Sequence, residues 1–203
     1  MEFSTIALLI LSYLIGSIPF ALIIGKTFFD IDIRNHGSGN IGTTNTFRIL
    51  GKKAGIIVLI LDFLKGMIPV YIAMLVNTEL PLILVGLCAA LGHVYSIFLK
   101  FKGGKAVATG AGVILAVQPV IFLILLTAFL ITLYIFKYVS LGSIVGVTTL
   151  FILSLFTDDL TFKLVSLFLL IIIIYKHLSN IKRIMNKTEP KVKLFKKDNI
   201  GSN

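Results

Sequence analysis

The sequence predicts an all-α, polytopic membrane protein: a bundle of about seven transmembrane helices, N-terminus outside and C-terminus cytoplasmic. Three observations carry that reading. Of 203 residues, 57% are hydrophobic and only 14% charged, too little polar surface for a soluble domain of this length. The apolar residues come in blocks that match the roughly 20 residues needed to span the hydrocarbon core. Finally, 17 of the 19 Lys and Arg residues collect in alternate connecting segments, the positive-inside pattern of a multi-pass protein.

The first block, residues 3–24, lies where a signal peptide would. It is longer than a usual signal core, has Glu2 in place of a basic start and lacks a small-residue cleavage site, so it is expected to stay as a helix. The second and third spans cover 54–76 and 80–99. Cys88, the single cysteine, sits in the third and reads as a small packing residue. The apolar stretch 106–136 is too long for one untilted crossing, and Gln118-Pro119 marks a break. It divides into 106–117 and 119–136; if the short first piece is re-entrant, the total is six. Spans at 138–156 and 160–175 complete the bundle and leave a basic tail, 176–203. Residues 1–203 form a single domain without internal repeats.

Orientation follows from the charges. One side receives 26–53, 100–105, Lys137 and the tail; the other holds Glu2, Glu79, Asp158 and Asp159 with Lys163 as its only base. The basic side is therefore cytoplasmic. This bias also explains the net charge of +10, and the KVKLFKK of the tail can rest on anionic headgroups. Membrane lipid is thus an expected partner and nucleic acid is not. No metal or cofactor is implied.

Three cytoplasmic segments are too polar to be plain connections. Gly37-Ser-Gly-Asn-Ile-Gly-Thr-Thr-Asn-Thr-Phe-Arg48 is dense in Gly, Asn, Ser and Thr. Glycines let backbone N–H groups converge on an anion, Ser38, Thr43 and Thr44 add hydroxyls, and Arg48 offers a bidentate fork for phosphate. An ordinary Gly/Asn turn fits the composition equally well. The second segment, Gly92 to Thr109, places Gly103-Gly104-Lys105 directly before a helix start. Free N–H groups, a positive dipole end and the Lys105 charge suit an anion there, although a basic topology anchor is the simpler alternative. In the third, His177 and Asn180 are three apart and share a helix face if the last helix outruns the bilayer. Glu189 would tie the tail down by pairing with a base. A lone interfacial histidine such as His177 is more often structural, as for His36 and His93, with proton handling as the functional alternative. Ser140 and Ser143 lie at a helix start, where N-capping is expected. Asp62 and Lys65, spaced i,i+3 inside a span, are expected to pair, mainly as structural glue.

These segments resemble the three motifs of the bacterial acyl-phosphate:glycerol-3-phosphate acyltransferase family: GSGNIGTTNTFR, GHVYSIFLKFKGGKAVAT, and HLSNI followed by Glu189. The Asp62-x-x-Lys65-Gly66 pattern and the hydrophobic blocks extend the resemblance over nearly the whole chain. Thr43, Ser96 and Ala106 depart from it, standing where alanine, a nearby proline and a glycine-type residue are usual. The resemblance implies transfer of an acyl group from acyl phosphate to the 1-hydroxyl of glycerol 3-phosphate, giving lysophosphatidic acid and phosphate. It implies an enzyme of the bacterial cytoplasmic membrane with its active site facing the cytoplasm. A soluble enzyme that makes acyl phosphate is the protein partner to consider. On this reading Ser38, Arg48, His93, Lys105, His177 and Asn180 are catalytic. Gly39, Asn40, Thr44, Asn45, Gly103, Gly104 and Ser143 bind substrate, and Asp62, Lys65 and Glu189 are structural. Because acyl phosphate is already activated, a single displacement without an acyl-enzyme is expected, with the proton leaving through a histidine or onto the donor's phosphate. The competing class is a transporter or channel for a phosphorylated small molecule, but such proteins favour two related halves meeting at the midplane, and no second half is detectable.

Overall fold

Apolar blocks interrupted by Gly, Pro and charge fold into a chain of helices. A computed structural model describes residues 3–192, with side chains from residue 5 onward, so Glu2 and most of the KVKLFKK tail lie outside it. Among the described residues there is no strand. In order, the helices are α1 (Phe3–Ser17), α2 (Phe20–Phe29), α3 (Thr43–Ile49), α4 (Gly51–Leu75), α5 (Leu82–Val94), α6 (Val107–Val117), α7 (Pro119–Phe136), α8 (Val139–Ser154) and α9 (Leu160–Met185). Single 3-10 turns cover Ile33–Asn35 and Ile97–Leu99.

The expected span 3–24 is not one helix. It breaks at Ile18-Pro19, and its two pieces meet at 41°, because Pro19 cannot donate to the helical ladder. The break leaves carbonyls without helical partners, and side chains serve them: Lys65 Nζ donates to Ile18 O at 2.9 Å and Ser96 Oγ to Ser17 O at 2.6 Å. The proline at 119 acts as expected, separating α6 from α7. The last helix runs to Met185, ten residues past the expected end of its span at 175. At about 1.5 Å per residue it exceeds the roughly 30 Å hydrocarbon thickness and projects its last turns beyond it. Asp159 starts it, its carboxylate accepting the Phe162 N–H at 2.9 Å, a side-chain N-cap.

Helices α4, α7 and α9, together with Leu82–Leu99, are long and apolar enough to cross a membrane, and the bent α1–α2 pair adds a fifth candidate. Helices α6 and α8 are apolar but shorter, at 11 and 16 residues. Large side chains such as Leu123, Tyr134 and Leu164 are more than half exposed, as expected of surfaces that meet lipid.

Without a hydrophobic driving force between helices in lipid, close backbone approach must hold the bundle. Glycines supply it. A Cβ on Gly16 would run into the Ala89 backbone and one on Gly92 into Tyr13 O, sealing α1 against α5. Likewise Gly66 abuts Thr109 and Gly112 abuts Phe63, both through backbone, sealing α4 against α6. Buried hydroxyls add bonds across the same seams, among them Ser12 Oγ to Val85 O at 2.6 Å.

These seams yield a test. Gly66→Ala should overpack the α4–α6 crossing and cost about 1–3 kcal/mol, lowering the apparent melting temperature in detergent. Gly110→Ala, which meets open space, should leave it unchanged.

Candidate active site

Three polar segments far apart in sequence meet at one end of the bundle. The first, between α2 and α3, is shaped by Asn45. Its buried amide donates to Ile33 O at 3.3 Å and His36 O at 3.1 Å, and its carbonyl accepts the Ser38 N–H at 3.0 Å. Gly37 and Gly39 take positive φ of 61° and 67°, which a glycine adopts without strain. Asn45 was expected to bind substrate, but its polar atoms are spent folding this loop. Asp32 engages Arg34 through both carboxylate oxygens, whereas Arg48 lies exposed on α3 with no ion-pair partner among the described residues. Ser38 is exposed, and its hydroxyl accepts the Asn40 N–H at 3.4 Å. Thr44 is also exposed and Gly39 and Asn40 partly so.

The second segment joins α5 to α6. Its glycine turn was expected to offer free N–H groups, and it does not. Gly103 N–H donates to Val94 O and Gly104 N–H to His93 O, both at 3.0 Å, because the turn folds back on the end of α5. The glycines instead provide room: a Cβ on Gly103 would strike His93 O, and one on Gly104 would strike His93 Nε2. His93 is 7% exposed and its Nδ1 lies 3.1 Å from Thr109 Oγ1. Behind it sit Asp62 and Lys65, paired at 2.8 Å as expected, with Asp62 Oδ1 3.9 Å from His93 Nδ1. Both are almost fully buried, which pairing makes tolerable. His93, Asp62, Lys65, Gly104 and Ile41 line one small cavity, with room for about one water, so the first and second segments share a wall.

The third segment is the far end of α9. Asn180 Oδ1 accepts a hydrogen bond from Lys105 Nζ, joining the second motif to the third. Asn180 Nδ2 donates to Glu189 Oε1 at 2.7 Å, and Ser140 Oγ donates to the same oxygen at 2.8 Å. Arg183 Nε binds Glu189 Oε2 at 2.7 Å. Val192 N–H donates to Lys137 O at 2.8 Å, strapping residues 186–192 to the α7–α8 turn. His177 is 3% exposed, its Nδ1 2.8 Å from Ile173 O. Ser140 and Ser143 do not cap α8, whose N-cap is Tyr138. Ser140 is occupied by Glu189, and Ser143 Oγ donates to Val139 O at 2.9 Å.

Electrostatically, burial lowers Lys105 to about 8, with Glu189 opposing and Arg183 and Lys176 reinforcing the shift. Burial pushes the Glu189 carboxyl upward, but hydrogen bonds from Asn180, Arg183 and Ser140 outweigh it and hold it below its ordinary value. The end of the bundle thus carries a half-buried Lys105 beside two buried imidazoles, with Arg48 exposed on α3 of the first segment. That set suits oxyanions and a hydroxyl between them.

Thr109 and Arg183 were missed at the sequence level. Thr109 closes the quoted second motif, and Arg183 follows His177 and Asn180 at spacing three, so both signals were present.

The chain matches the family described as glycerol-3-phosphate acyltransferase over residues 6–187. A glycerol-3-phosphate acyltransferase of Macrococcus caseolyticus is 52% identical over 190 residues, covering 94% of this chain and 97% of that one. One from Bacillus cytotoxicus is 51% identical over 195 residues, covering 96% and 98%. Crystal structures of PlsY (YgiH), an integral membrane glycerol 3-phosphate acyltransferase, superpose at 40% identity. The glycerol 3-phosphate form gives a TM-score of 0.87 over 93% of this chain and 96% of that one. The lysophosphatidic acid form gives 0.83 over 93% and 95%.

The Glu189 network predicts a graded response. Glu189→Ala should cost about 1–3 kcal/mol by stranding Arg183 and Asn180 and speed tryptic cleavage after Arg183. Glu189→Gln, which keeps one acceptor oxygen, should fall between the two.

Proposed function

The chain belongs to the glycerol-3-phosphate acyltransferase family, and on that premise we propose that the three clustered segments are its acyl-transfer site. The protein is an integral membrane acyltransferase that acylates glycerol 3-phosphate to lysophosphatidic acid. The transporter alternative is set aside by that membership. The donor we assign is acyl phosphate, and the side we assign is the cytoplasm, where positive-inside bias would put the site. Seven crossings go with that assignment, since the α7–α8 turn meets the residues after α9 at the same end as the Gly103–Lys105 turn, which needs α6 and α8 to traverse as well.

One observation carries the placement of the site: the Lys105–Asn180 hydrogen bond, which brings the second and third motifs together next to His177. Arg48, Ser38 and Lys105 hold phosphate oxygens, with Asn40 and Thr44 beside them on the first loop. Gly39 shapes that loop, as Asn45 does from beneath. Gly103 and Gly104 act by clearing space, and Ser143 backs the site from α8. His177 and Asn180 orient glycerol 3-phosphate, and His93 meets a phosphate. The 1-hydroxyl oxygen attacks the acyl carbonyl carbon; the bond from that carbon to the phosphate oxygen breaks. The hydroxyl proton ends on the released phosphate. No acyl-enzyme is needed, because the mixed anhydride is already activated and the protein supplies position and charge. The acyl chain stays among apolar helices while soluble glycerol 3-phosphate arrives from water.

Purified protein given palmitoyl phosphate and labelled glycerol 3-phosphate should form labelled lysophosphatidate; palmitoyl-CoA in its place should not serve. Arg48→Ala should lower kcat/KM at least about a hundredfold, the loss expected for two charged hydrogen bonds; a folded variant with full activity contradicts the assignment. Lys105 is cationic below about 8 and neutral above. The KM for glycerol 3-phosphate should therefore rise as pH increases through that value, and Lys105→Arg, always charged, should flatten the rise.

A further inference from the structure

We propose that Thr109 is a positioning residue that fixes the tautomer of His93, so that the two buried histidines of the site take opposite parts. His93 then presents an Nε2–H donor to the anion, and His177 presents a bare Nε2 acceptor to the hydroxyl. The chemical identity of that anion and hydroxyl rests on the acyl-transfer reading above; the tautomers do not.

Thr109 is 0% exposed in the first turn of α6. Its hydroxyl has one partner among the described residues, His93 Nδ1 at 3.1 Å. If Nδ1 carried the ring proton, the threonine oxygen would accept it and its own proton would be left without an acceptor, because Thr109 is fully buried and does not border the small cavity beside His93. A buried donor left unmade is costly. If Nδ1 is bare, the hydroxyl donates to it and both partners of that contact are satisfied. The charged groups facing His93 do not reverse this. They are Asp62 and Lys65 from α4 and Lys176 from α9. The Asp62 oxygen is 3.9 Å from Nδ1, beyond hydrogen-bond reach, and is already taken by Lys65 at 2.8 Å. The ring proton therefore sits on Nε2. That nitrogen abuts Gly104, where an added Cβ would collide with it, so the N–H lies against the turn that leads into Lys105.

For His177 the same logic gives the opposite result. Its Nδ1 lies 2.8 Å from Ile173 O, and a carbonyl oxygen can only accept. Nδ1 must carry the proton, which leaves Nε2 bare. In each ring the partner of Nδ1 decides what Nε2 can do. His93 cannot accept the proton of the attacking hydroxyl without first losing its own; His177 can accept that hydrogen bond at once.

The test is 15N NMR of histidine-labelled full-length protein in lipid nanodiscs, with His93→Gln and His177→Gln used to assign the signals. The expected spectrum shows His93 protonated at Nε2 and His177 at Nδ1. Thr109→Val should shift His93 toward the Nδ1–H form and lower kcat for lysophosphatidate formation by about tenfold, the factor of one lost hydrogen bond, with a much smaller change in KM. Thr109→Ser should restore both. A wild-type His93 protonated at Nδ1, or a Thr109→Val tautomer identical to wild type, overturns the proposal. Should Thr109→Val fail to fold, Thr109→Ala, which also removes the hydroxyl, takes its place with the same expected and overturning results. If both tautomers are as expected but wild-type protein makes no lysophosphatidate, the acyl-transfer reading fails while the tautomer assignment stands.

Discussion

An ammonium group held at the rim of an apolar bundle imposes most of this architecture. In the proposed site Lys105 has to stay charged enough to meet a phosphate, yet it is half withdrawn from water, and burial already lowers it to about 8. Its hydrogen bond goes to a neutral amide, Asn180, which orients the ammonium without neutralising it as a direct carboxylate would. The carboxylate is one step removed: Glu189 holds Asn180, and Arg183 and Ser140 hold Glu189. For this relay to exist, α9 must outrun the bilayer, the chain must fold back after Asn186, and the α7–α8 turn must bring Ser140 alongside.

The relay has to stand on a stiff base, and in lipid stiffness comes from contact rather than from the hydrophobic effect. The glycine notches at 16, 92, 66 and 112 let α5 and α6 sit against α1 and α4 with backbone touching backbone. The same seams carry polar groups of the proposed site. Gly66 meets Thr109, and Thr109 meets His93; Gly92 immediately precedes His93. Asp62 and Lys65 bridge this core to the break after Ser17, where Lys65 serves the Ile18 carbonyl. Packing and chemistry therefore share residues, and a change at a notch is felt at an imidazole one contact away.

Much of this was legible in the sequence, for reasons that can be stated. Apolar block length announced the bundle, proline announced the break at 119, and i,i+3 spacing announced the Asp62–Lys65 pair and the His177–Asn180 face. What escaped were features decided by tertiary contact. Pro19 carried the same signal as Pro119, but the continuous apolar run around it concealed the bend. Gly103 and Gly104 looked like an anion cradle, yet their N–H groups close a turn on α5; spacing cannot tell an N–H that points outward from one that points home. Asn45 looked like a ligand and is a loop organiser, since a buried amide serves either purpose with the same atoms. Glu189 could be paired with a base in advance, but which base, and that Ser140 would join it, depended on where the chain turned back.

The most direct measurement is an experimental structure of this protein with glycerol 3-phosphate bound in lipid. The phosphate should lie within hydrogen-bond distance of Lys105 Nζ, beside His177 and Asn180, at the end of the bundle where the three segments meet. A phosphate bound at the opposite end, or one seated away from Lys105 while the Lys105–Asn180 contact is intact, would contradict it.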